Sequence, residues 1–93
     1  MPRPLRELQL PYGVPRDEVE AFAMVLRQRR IELGLKQSDF EGEESFDRSY
    51  MSKLELAKRS PDLRAIFHIA HILQLKPHEL LRRVETLLES PGR

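Results

Sequence analysis

An all-helical, single-domain fold is what this sequence predicts, and three observations predict it. Long stretches without glycine or proline carry apolar residues at helical intervals. Residues that start or stop helices stand at the borders of those stretches. The chain has 93 residues, enough for one small core and too few for two.

The elements follow in order. The first 15 residues hold four of the seven prolines, at positions 2, 4, 11 and 15, which blocks a regular helix and predicts an N-terminal arm over residues 1–15 ahead of a domain over residues 16–90. The arm has two uses open to it. Leu5, Leu8, Leu10 and Tyr12 could pack on their own domain or on a partner subunit, or Arg3 and Arg6 could reach a phosphate backbone. From Asp17 to Leu33 there is no Gly or Pro, and Val19, Phe22, Leu26 and Leu33 recur at helical spacing with Gly34 placed to end the helix. This is helix one. Helix two runs from Gln37 to Gly42 or Glu44 and is short, because Gly42 forms helix weakly and Glu43 and Glu44 sit at the unfavourable end of the dipole. Asp47 caps helix three, Arg48 to about Leu56.

Ser60 and Pro61 then start helix four as cap and first helical residue, and Leu63, Ile66, Phe67, Ile69, Ala70 and Leu73 give it a wide buried face. Pro77 opens helix five, which extends to about Glu89 with Leu80, Leu81, Val84, Leu87 and Leu88 in one arc. That arc reaches further than a small domain needs. Leu87 and Leu88, with Ile72, are therefore read as a dimer surface, with capping of the monomer core as the alternative.

The segment QSDFEGEESFDRSYMSKLELAKRSP, residues 37–61, has the spacing of a helix-turn-helix DNA reader. Arg48, Ser49, Ser52 and Lys53 share one side of helix three, while Met51 and Leu54 point inward. A polar first turn on an apolar footing is what insertion into a major groove requires. The formal net charge of +1 is uninformative until it is divided along the chain. Residues 37–46 carry four acids and no base, whereas residues 47–64 carry Arg48, Lys53, Lys58, Arg59 and Arg64 against Asp47, Glu55 and Asp62.

Other chemistry finds little support. There is no cysteine, which rules out disulfides and thiolate metal sites and fits a reducing cytoplasm. No apolar run approaches the roughly 18 residues of a membrane span, and MPRPLREL lacks the apolar stretch of a signal peptide. His68, His71 and His78 lack the further donors that a metal site needs, since the first two flank Arg64 on the polar side of helix four. No phosphate-binding glycine loop or nucleophile elbow is present. No enzyme activity, cofactor or metal is expected.

LRQRRIELGLKQ, followed by SYMSKLE, AKRSPDL and IAHILQLKPHELL, resembles the five-helix Cro and lambda-repressor-like (XRE) domains over roughly residues 22–82. Several separate elements keep the family's spacing: Arg30 and Glu55, Gln37, Ser60-Pro61, and the stretch from Ile69-Ala70 to Leu80-Leu81. The resemblance implies a phosphate contact for Gln37 at the start of helix two, favoured by the positive helix end. It implies base-edge positions for Arg48, Ser49, Ser52 and Lys53, with Arg48 or Lys53 donating to guanine. Tyr50 reaches backbone or a thymine methyl unless it packs inward. Lys58 and Arg59 are implied as phosphate clamps, and Arg30 with Glu55 as a structural ion pair. Two positions depart from the family: Glu41 stands where a small alanine is usual, and Ser45 where the turn glycine is usual. A buried carboxylate there would cost several kcal/mol, so Glu41 must escape to solvent or meet a cation, displacing helix two or loosening the turn.

The expectation is a cytoplasmic, homodimeric regulator of transcription, a repressor, that binds palindromic double-stranded DNA. The alternative is a protein-interaction module of antitoxin or anti-repressor type, whose acidic helix-two edge meets a basic protein partner.

Overall fold

The computed structural model describes residues 14–42 and 46–89. The described residues are all helical in their regular structure: α1 spans Glu18–Glu32, a single 3-10 turn spans Gln37–Phe40, and α2, α3 and α4 span Arg48–Glu55, Leu63–Ile72 and Pro77–Leu88. Among the described residues there are thus four α-helices where five helices were expected, the expected helix two being the 3-10 turn. The arm residues Leu5, Leu8, Leu10, Tyr12, Arg3 and Arg6 lie outside the described residues, as do Glu43, Glu44 and Ser45.

The first helix starts where the sequence places it. The Asp17 side chain accepts from the Glu20 N–H at 3.0 Å, occupying one donor that the first turn leaves unpaired. Glu20 is itself buried and accepts from Arg16 three times, from its backbone N–H at 2.7 Å, Nε at 2.9 Å and NH2 at 2.6 Å. The Arg16 hydrogen bonds hold the Glu20 carboxyl below the usual glutamate range, outweighing the opposing effect of burial. A carboxyl with a lowered folded-state pKa stabilises above the ordinary glutamate pKa, and that contribution is lost as pH falls through the folded value. Glu20→Gln should therefore lower the melting temperature at neutral pH, and the two proteins should converge on acidification. A gap that stays constant with pH would rule out this linkage.

Three helices stop in the same way. Gly34, Ala57 and Gln74 each take a positive φ, of 73°, 60° and 63°. The next residue's N–H then reaches back five residues, from Leu35 to Arg30, Lys58 to Lys53 and Leu75 to Ala70, at 3.0, 2.8 and 2.9 Å. Gly34 adopts this conformation freely, whereas the Cβ of Ala57 opposes it. Ala57→Gly should stabilise by about 0.5–1 kcal/mol, the relief of left-handed strain less glycine's entropic cost. Urea denaturation measures it, and a loss of stability would mean that the methyl packs more usefully than the strain costs.

Helix two is shorter than the sequence suggests. Phe40 is fully buried, and Asp39 caps the turn by accepting from the Lys36 N–H at 2.7 Å. The backbone then leaves the helix at Glu41, with φ −70° and ψ 162°. Gly42 follows at φ 131°, a conformation that side chains resist. Glu41 is exposed, so the escape to solvent is the route taken.

Helix four also differs. It begins at Leu63 and not at Pro61, because Asp62 accepts from the Ala65 N–H at 2.8 Å and takes the cap that Ser60 was expected to supply. Its buried face is Ala65, Ile69, Ala70 and Leu73, whereas Leu63 and Phe67 are 70% and 56% exposed. His68 lies on the inward side of this helix, half-buried, with Nε2 2.5 Å from the Phe40 carbonyl oxygen. That bond and an edge-on contact with Phe46 at 4.8 Å remove it from the polar side on which the sequence placed it.

The core joins Phe22, Leu26, Phe40, Phe46, Met51, Leu54, Ile69, Leu73, Leu80 and Val84. Burial of these apolar side chains, each contributing about 1.5–3 kcal/mol against exposure, holds the helices together. The Arg29 Nε donates to the Leu73 carbonyl at 3.1 Å, tying α1 to the end of α3. Among the described residues no helix is long and apolar enough to cross a membrane.

Candidate nucleic-acid interface

The second α-helix presents one face to the core and the other to solvent. Asp47 starts it by accepting from the Tyr50 N–H at 2.9 Å. Met51 and Leu54, at 0% and 1% exposure, root the helix in the core. Arg48, Ser49 and Lys53 are exposed and Ser52 is half-buried. These four fall one turn apart in two pairs, 48 with 52 and 49 with 53, so they form one polar strip at the start of the helix.

The base of the strip is braced by a buried ion pair. Arg30 donates to Glu55 from Nε at 2.6 Å and NH2 at 3.1 Å, and from NH1 to the Leu35 carbonyl at 2.9 Å. Glu55 is 3% exposed. Such a two-point contact fixes orientation as well as distance, and here it sets the end of α2 against α1.

Gln37 belongs to the same network. Its Nε2 donates to Glu55 Oε1 at 3.1 Å, which turns the side-chain amide inward. The phosphate contact implied for Gln37 is therefore left to its backbone N–H and its remaining amide hydrogen. The shared partner could not be read from spacing, because Gln37 and Glu55 meet only once α2 has crossed the short turn.

Tyr50 and Arg59 are likewise engaged within the protein. The Tyr50 ring packs edge-on against Phe46 at 4.9 Å, and the Arg59 guanidinium lies 5.1 Å above it, a cation–π distance. Burial first, and the Asp62 charge next, push the Tyr50 hydroxyl above the usual phenol range. Lys58 follows the left-handed Ala57 and is exposed, as is Arg59.

The outward charge of this region is more positive than its composition suggests. Glu55 is neutralised inside by Arg30, and Asp47 and Asp62 each cap a helix start, where the dipole offsets negative charge. Arg48, Lys53, Lys58, Arg59 and Arg64 all stand exposed. Leu63 and Phe67, expected in the core, instead complete an open groove of about 1040 Å³ between α2 and α3.

Ile72, Leu87 and Leu88, the expected dimer surface, are half-buried and packed against the core. Leu87 also rests on Ala23 and Met24. Leu81 stands 45% exposed on the same helix. Among the described residues, no three His, Asp or Glu side chains gather where they could hold a metal ion. No family model, curated protein or solved structure matches the chain.

Proposed function

We propose that the protein is a sequence-specific binder of double-stranded DNA that acts as a transcriptional regulator, a repressor of helix-turn-helix type, with α2 as the reading helix. The observation that carries this reading is the polar strip of the exposed Arg48, Ser49 and Lys53 with the half-buried Ser52, on a short helix rooted by Met51 and Leu54. A helix can present base-reading side chains only if its other side is held firmly, and the Arg30–Glu55–Gln37 network supplies that support. Arg48 or Lys53 would donate to guanine O6 and N7, with the serines serving bases or phosphates. Lys58 and Arg59 would neutralise phosphates on the flank.

One such helix reads only a few base pairs, so useful specificity calls for two copies held roughly 34 Å apart. The exposed Leu81 and the half-buried Leu88, two turns apart on one side of α4, would offer an apolar contact to a second copy, whereas Leu87 packs on Ala23 and Met24 of its own chain. Selection of bound sequences from a random duplex pool tests the reading, with palindromic half-sites as the expected outcome. Recovery of unselected sequence at every salt concentration would reject base reading. Sedimentation as a monomer at tens of micromolar would reject the dimer.

A further inference from the structure

The groove between α2 and α3 has features that base reading does not use. Two of its lining side chains are apolar and exposed: Leu63 and Phe67 lie one helical turn apart on α3, 70% and 56% exposed, and line the groove together with Tyr50. A phosphate backbone gives such side chains nothing to bury against. Single exposed apolar residues are ordinary, but these two lie together along a groove that cations also line, where an apolar partner side chain could cover both. Lys53, Arg59 and Arg64 line the same groove. Two exposed acids, Asp47 and Asp62, line it as well, each accepting a capping bond from the Tyr50 or Ala65 N–H, and the three cations outnumber them by one.

We propose that this groove docks an acidic, amphipathic helical segment of a protein partner. Leucine-like anchors spaced three or four residues apart would bury Leu63 and Phe67, the mode by which helices fill grooves generally. Carboxylates on the flanks of that helix would meet Lys53, Arg59 and Arg64. Charge complementarity selects an acidic partner over a basic one, and the aromatic wall of Phe46 and Tyr50, already packed edge-on, is preorganised for it. Ser49 and Lys53 border both this groove and the polar strip of α2. The docked segment and a DNA duplex therefore exclude each other, which makes the groove a point of release from DNA. That consequence rests on the proposed function, whereas the docking itself does not.

The test uses the full chain, immobilised, against a displayed library of helical peptides with leucine fixed at positions i, i+4 and i+7 and the remaining positions drawn from Glu, Lys, Gln and Ser. Enrichment of Glu-rich members is the expected result, and enrichment of Lys-rich members or of none would overturn the proposal. The best synthetic member, followed by fluorescence anisotropy, should bind Phe67→Ser and Leu63→Ser at least about tenfold more weakly, a loss of about 1.4 kcal/mol. Both variants should melt as the unsubstituted protein does, since the two side chains are exposed. Unaltered peptide affinity in both variants would place the contact elsewhere and sink the proposal. So would a loss of self-association in sedimentation, which would make the groove a contact between copies. Addition of the peptide should also release a duplex recovered in the random-pool selection. If no duplex is ever bound while the peptide result holds, the proposed function fails and the docking site stands. If the duplex is bound and the peptide does not displace it, the exclusive use of the two surfaces is refuted.

Discussion

Glu55→Ala should lower the melting temperature by more than about 10 °C, through a loss of about 3–5 kcal/mol. Glu55 is 3% exposed and accepts two bonds from Arg30 and one from Gln37. Truncating it strands a guanidinium whose side chain is only 14% exposed. The loss is thus dominated by an uncompensated cation in the interior and not by the strength of the pair itself. A double variant distinguishes the two. Arg30→Met with Glu55→Leu should recover most of the stability, because it removes both charges and fills similar volume. Failure of the double variant to recover would assign the loss to the geometry that the pair imposes on α2. Melting unchanged with DNA binding abolished would instead move Glu55 from the support to the reading surface.

The parts of the fold that were legible in the sequence are those fixed by local chemistry. Asp47 caps the helix expected of it, Gly34 takes the positive φ that ends α1, and Pro77 opens α4. In each case the decisive interaction spans five residues or fewer. The Arg30–Glu55 contact was legible for a different reason, as a pair whose residues keep a family's spacing.

The misread parts depend on what lies across the core. Helix two was expected to continue past Phe40, but the need to bury Phe40 while releasing Glu41 ends it in one 3-10 turn. On α3 the apolar periodicity fits more than one face. Ala65 and Ala70 let neighbouring elements approach closely, and the bulkier Leu63 and Phe67 are turned outward. Of the expected face, Ile69, Ala70 and Leu73 are buried and Ile66 is half-buried, whereas Leu63 and Phe67 are exposed and Ala65, a small residue that adds little to an apolar pattern, is buried in their stead. His68 is misplaced for the same reason, since its partner, the Phe40 carbonyl, is 28 residues away in the chain.

Within the interface, Arg48 and Lys58 should respond differently to truncation, and the contrast tests base reading more sharply than affinity alone. Arg48 is exposed in the first turn of α2, directly after the cap, the place from which a reading helix contacts base edges. Arg48→Ala should weaken binding to the selected duplex by about 1–3 kcal/mol and relax the preference at one position in each half-site. Binding to unrelated duplex should change little. Lys58 stands in the loop beyond the left-handed Ala57, outside α2. Lys58→Ala should weaken selected and unrelated duplexes alike and reduce the slope of log affinity against log salt by about one. Neither side chain supports the core, so both variants should melt normally. Equal losses on selected and unrelated duplexes for Arg48→Ala would make Arg48 a phosphate contact, and base reading would then pass to Lys53, the other exposed cation on the strip. An unchanged affinity in both variants, with folding intact, would remove α2 from the DNA surface altogether.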